Sequence, residues 1–141
     1  MVVEIKEYGS AEEVEETLEK EISETKSILG QYLRRLDEIR SLAEKAKKVR
    51  EVILKLAGKK GANESLGEIN IGSLSIVLDA GPLEELTALE SVVRSHQERL
   101  LTLQKAREAL KPLDELGEAD GMKYLVVETN GIPERILLKM S

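Results

Sequence analysis

The chain has 141 residues, a net charge of −6, three Tyr and neither Phe, Trp nor Cys, so it reads as one domain with a core of Leu, Ile and Val. The absence of Cys excludes disulfides and thiolate metal sites and fits a reducing cytoplasm, and the acid surplus argues against a general nucleic-acid binder, which needs basic side chains to spare for phosphates. Charged residues make up 34% while Asn and Gln together number six, a thermophile-like preference for charge networks over labile side chains.

At the N-terminus Val2, Ile5 and Tyr8 are separated by charges, which predicts an edge strand. This segment lacks the basic start and apolar stretch of a signal peptide, and no run approaches the roughly 20 apolar residues that cross a bilayer. A cytoplasmic location without membrane partners is expected. Ser10 and Glu13 form an S-x-x-E capping box, in which each side chain satisfies the other residue's backbone N–H. From Ala11 to Ala57 a heptad seam runs through Leu18, Thr25, Tyr32, Ile39, Ala46 and Ile53, with Ile22, Leu29, Leu36 and Ala43 as its second set. Such a seam is buried against another helix. Gly30 does not change its phase, so one continuous helix over 11–57, ending at Gly58, is favoured over a break at Gly30 that would make 11–29 a separate helix. The connection KKGANESLG (59–67) follows.

Ile69, Ile71, Leu74, Ile76 and Leu78 read as β, either two short strands around Gly72 or one bulged strand, over 68–79. Asp79-Ala80-Gly81-Pro82 is a turn that puts Pro at the first position of a second helix, where its missing N–H costs nothing. That helix carries Leu86, Leu89, Val93, His96, Leu100, Leu103 and Leu110 on its seam, and Pro112 ends or kinks it at about Lys111. Tyr124–Val127, the Asn130-Gly131 turn and Arg135–Met140 form a C-terminal hairpin within 122–140. The expected fold class is α+β: a long antiparallel coiled-coil hairpin, short strands between its helices and a C-terminal β hairpin, all one domain over 1–141.

Charge is segregated along the chain. Residues 11–29 hold seven Glu against two Lys, 34–60 ten bases against four acids, 64–90 six acids and no base, and 94–111 five bases against two acids. An antiparallel pairing of the helices sets opposite blocks side by side, although each exposed pair contributes only tenths of a kcal/mol. The second helix, at about 45 Å, is some 25 Å shorter than the first. The seam at Leu18, Ile22, Ile28 and Leu29 is therefore expected to lack a partner in its own chain and to be covered by another subunit, in a homo-oligomer.

No catalytic, cofactor or metal site is predicted. His96 is the lone histidine, has no carboxylate at i±3 or i±4, and reads as seam packing. Arg50 and Arg107 interrupt the seams; their stems pack while their heads reach water, or they pair with Glu across an interface and fix register. The stretch AGKKG (57–61) lacks the Walker spacing and follows a helix where a strand is needed. Neighbouring carboxylates such as Glu12-Glu13 and Glu84-Glu85 diverge on their helices and read as dipole partners. Lys45, Lys47, Lys48, Arg50, Lys55, Lys59 and Lys60 form the one basic stretch. It reads as a solvated or internally paired face, with nucleic acid or an acidic protein as alternatives, and it lacks the aromatics on which single strands stack.

The order long helix, short apolar β segment, long helix, with Ile71-Gly72-Ser73-Leu74-Ser75-Ile76 in the middle, resembles β-type prefoldin subunits over about residues 11–111. The resemblance implies an ATP-independent holdase whose β segments associate into a barrel-like body and whose coiled-coil arms hold unfolded clients. By that match Ile71, Leu74, Ile76 and Leu78 are assembly contacts. The expected function is therefore a non-enzymatic oligomeric coiled-coil chaperone or assembly scaffold that binds copies of itself, other subunits or unfolded clients. The alternative is a dimeric nucleic-acid-associated protein using 34–60.

Overall fold

A computed structural model of the protein describes residues 2–57, 68–77, 81–116 and 121–140. It is a mixed helix and strand structure that divides into two compact units, Met1–Leu29 with Ser95–Ser141, and Gly30–Arg94. One helix, α1 (Ala11–Ala57), runs without interruption through Gly30.

In the first unit, β1 (Val3–Tyr8) leads into the start of α1. Ser10 Oγ accepts a hydrogen bond from the Glu13 N–H at 3.2 Å, as the capping box requires. Glu13 Oε2 accepts from the Gly9 N–H at 2.8 Å, one residue ahead of the expected donor. After α2 (Pro82–Leu110) the chain tightens into a 3₁₀ segment, Lys111–Leu116, which contains Pro112. The α-helix stops before this proline because the ring leaves no N–H for the next turn and disfavours α geometry in the residue ahead of it. Then β4 (Met122–Thr129) and β5 (Ile132–Met140) form the expected hairpin. Asn130 and Gly131 take φ of 53° and 79°, the pair of positive values that a two-residue turn of type I′ needs.

This hairpin is not alone. β1 pairs antiparallel with β4, giving a three-stranded sheet in the order β1-β4-β5. The Asn130 N–H donates to the Val2 carbonyl at 2.8 Å, and the Val2 N–H donates to Asn130 Oδ1 at 3.1 Å. The inner face of the sheet presents Tyr124 and Val126 to Ala11, Val14, Leu18 and Ile22 of α1 and to Leu103 and Leu110 of α2, and these eight residues are the buried core. Tyr8, Leu100, Leu113 and Ile136 pack around it.

That core corrects one expectation. Leu18 and Ile22 need no other subunit: the last turns of α2 and the sheet bury them. Leu29 is buried within the chain as well, and Ile28 alone of the four is exposed. Helix lengths counted in isolation could not include the sheet, which supplies the cover that a longer second helix would have given. Thr25, a polar seam residue, is also buried, and its hydroxyl donates to the Glu21 carbonyl at 2.7 Å, so its desolvation is offset.

In the second unit Leu36 and Ala43 of α1 and Leu89 and Val93 of α2 are buried, all of them seam positions. The β segment is a hairpin of β2 (Glu68–Ile71) and β3 (Leu74–Val77), the two-strand version of the expectation. Gly72 opens its turn at φ 60°, which a side chain would resist. The Gly58 stop, the 59–67 connection, Leu78, Asp79-Ala80, Lys59 and Lys60 lie outside the described residues.

Candidate interaction surfaces

The β2–β3 hairpin carries the most exposed of the predicted contact residues. Ile71 and Leu74 are cross-strand partners, and Ile76 lies two residues beyond Leu74, so all three share one face. Their exposures are 63%, 60% and 37%. Three large aliphatics open to water on a two-stranded ribbon are a place where burial is still to be gained, at about 25 cal/mol per Å². Both strands also have an unpaired edge within their two-stranded sheet. Leu78, the fourth residue assigned here, is outside the described residues.

The basic stretch is laid out on α1. Lys45, Lys47, Lys48, Arg50 and Lys55 are all exposed. Of the two arrangements expected for them, solvated or internally paired, they take the first: among the described residues none of the five makes an ion pair. The reason lies in register. In this unit Glu85, in the acidic first turn of α2, meets Arg35 at 3.6 Å, well before the lysines begin. Arg35 also sits over the Tyr32 ring, 5.9 Å from its centroid. Leu42, Val49 and Val52 are exposed on the same stretch of helix.

A polar cluster in the first unit has no counterpart in the sequence reading. Glu15, Glu19, Arg107, Lys111 and Asp114 line a surface hollow of about 330 Å³. Arg107, one of the two seam-interrupting arginines, reaches Glu19 at 3.8 Å, so it pairs within its own chain. Glu15 Oε1 is buried without a hydrogen-bond partner in the ionised state. Burial raises the Glu15 carboxyl above its ordinary value, and Asp114 raises it further, by accepting a hydrogen bond from the protonated acid and by repelling its charge. Glu19 and Glu12 add repulsion. The two carboxylates are 99 residues apart in sequence, so only the fold brings them together. This cluster can hold a proton between Glu15 and Asp114.

Two further polar contacts fix the sheet. Buried Glu128 takes a salt bridge from Lys6 at 3.2 Å, which raises the Lys6 pKa through the hydrogen bond and the charge of Glu128. Arg99 on α2 donates to the Asn130 carbonyl at 2.8 Å and meets Glu21 at 3.5 Å, joining α1, α2 and the β4–β5 turn. His96 is half-buried on α2. Among the described residues no group of His, Asp and Glu is placed to hold a metal, and no helix is long and apolar enough to cross a membrane.

Comparison with protein-family models, with curated proteins and with solved structures finds no match to this chain.

Proposed function

We propose that the protein is a non-enzymatic, oligomeric coiled-coil scaffold that holds other polypeptides, in the manner of an ATP-independent prefoldin-like chaperone. The observation that carries this reading is the exposed aliphatic face of β2–β3 at Ile71, Leu74 and Ile76, set between two long helices. In this reading α1 and α2 form an antiparallel coiled-coil hairpin. The ion pairs Glu21–Arg99 and Glu19–Arg107 in the first unit and Arg35–Glu85 in the second support it, as does the burial of seam residues on both helices. The β hairpin at its end joins copies of the chain, and the aliphatic face is covered in the assembly.

Leu74→Asp with Ile76→Asp puts two charges on that face without touching the buried core. The double variant is expected to lower the oligomeric mass measured by light scattering, and an unchanged mass refutes the role of β2–β3 in assembly. The holding activity is read separately, as suppression of aggregation of a chemically unfolded client without ATP. Failure to protect at stoichiometric excess sinks the chaperone reading.

A second reading is favoured by a separate observation, the exposed Lys45, Lys47, Lys48, Arg50 and Lys55 without ion pairs among the described residues. A nucleic acid laid on this stretch would bind at low salt and release steeply as salt rises. Absence of binding at low salt removes it.

A further inference from the structure

We propose that the outer face of the β1-β4-β5 sheet is a dimer interface that takes a second copy of this chain, sheet against sheet. The inference rests on the oligomeric part of the function proposed above but uses a different surface.

Register sorts the side chains. Tyr8, Tyr124, Val126 and Ile136 lie toward the core. Their strand neighbours therefore point the other way, because successive side chains alternate between faces. On that outer face Ile5 lies beside Val127, and Leu125 beside Leu137, with Val3 at one end. Val3, Ile5 and Leu137 are 57%, 65% and 41% exposed, and Leu125 and Val127 of the central strand are only half-buried. A sheet with one solvated side ordinarily alternates apolar and polar residues along each strand, with the polar ones outward. Here both sides of the middle of the sheet are apolar, Tyr124 and Val126 inward and Leu125 and Val127 outward, so the outer one is built to be covered.

The rim says what covers it. The β1 border carries Glu7, beside Leu125, and the β5 border carries Arg135 and Lys139, one level to either side of Leu137. Glu7 holds Lys123 of its own chain at 3.1 Å while staying about half-exposed. Arg135 and Lys139 are exposed and make no ion pair among the described residues. One patch with an acid on one border and two bases on the other is complementary to itself. A two-fold axis along β4 lays β1 of one copy over β5 of its mate, stacks Leu125 and Val127 on their own copies, and brings Glu7 between Arg135 and Lys139. Sheets packed in this way lie about 10 Å apart with strands within about 30° of alignment. A partner of a single charge sign would match only one border.

The test is the association constant of the full chain by sedimentation equilibrium at micromolar concentration, with circular dichroism to confirm that each variant is folded. Ile5→Lys with Leu137→Glu is expected to weaken association about a hundredfold. Glu7→Arg, at an exposed rim position, weakens it about fivefold, and adding Arg135→Glu and Lys139→Glu restores it. A monomeric wild type, or an Ile5→Lys/Leu137→Glu variant that associates like wild type, overturns the interface; so does a charge reversal that restores nothing. Mass lowered by Leu74→Asp/Ile76→Asp and untouched by Ile5→Lys/Leu137→Glu overturns this interface and leaves the scaffold reading standing. The reverse result, in a chain that fails to protect a client, supports the interface and removes the chaperone.

Discussion

At the scale of single residues, the Glu15–Asp114 contact is the clearest case of a group whose chemistry is set by its surroundings. In the unfolded chain Glu15 titrates near its ordinary 4.5. In the folded chain burial and Asp114 raise that value, so the native state binds more protons than the unfolded one between the two. The sign follows: Glu15 costs nothing at or below pH 4.5 and costs progressively more as pH rises through its folded value. Glu15→Gln, which supplies an uncharged donor of similar shape, is therefore expected to be more stable than wild type near neutrality and equal to it in acid. Urea midpoints for both proteins between about pH 4.5 and 8 check this; a difference that does not grow with pH would show that Glu15 is not strained by its charge. Lys6 also loses stability as pH rises, but at the alkaline end and because its charged form is the one the fold stabilises. Its raised pKa means that the bridge to Glu128 is at full strength below its ordinary 10.5 and fails only as pH climbs through the folded value.

At the scale of elements, α1 is held by its seam and its cap more than by its composition. Gly30 lies inside it, and a Cβ built there meets nothing within 4 Å. A mid-helix Gly costs about 1 kcal/mol relative to Ala. Gly30→Ala is thus expected to stabilise the protein by about that amount, read as a rise in thermal midpoint. A loss of stability would mean that the helix bends or is packed at Gly30. The turns are the opposite case. Gly131 takes φ 79°, a conformation that L side chains rarely adopt, so the backbone of the turn holds that position to Gly.

At the scale of the molecule, the first unit is assembled from both ends of the chain. Val3–Tyr8 and Met122–Thr129 pair across more than a hundred residues of sequence, and the core beneath them takes side chains from α1, α2 and the sheet. Leu103 is fully buried at its centre. Leu103→Ala removes its packing and leaves a cavity, a change that costs about 2–5 kcal/mol in buried sites. Urea denaturation measures the loss, and amide exchange is expected to accelerate in β1 and β4, which share that core. A cost below about 1 kcal/mol would mean that the site collapses around the smaller side chain.

Much of this was legible in the order of residues. The start of α1, the Pro82 start of α2, the Asn130-Gly131 turn and the edge-strand character of the first residues follow from caps, heptads and positive-φ residues, all of which act over a few positions. Of the predicted seam, Leu18, Ile22, Thr25, Leu29, Leu36 and Ala43 of α1 and Leu89, Val93, Leu103 and Leu110 of α2 are buried, Tyr32, Ile39, Ala46, Leu86, His96 and Leu100 are half-buried, and the Ile53 side chain lies outside the described residues. What the chain order could not express is pairing at a distance: that β1 adds to β4, that the sheet and the last turns of α2 cover Leu18 and Ile22, that Arg107 finds Glu19, and that Glu15 is pressed against Asp114. Local signals reflect backbone geometry and hydrogen bonding between near neighbours, whereas these contacts arise when apolar faces from distant segments meet and exclude water. That same step leaves Val3, Ile5, Leu125, Val127 and Leu137 on the far side of the sheet, a surface no reading of α1 and α2 alone would bring to light.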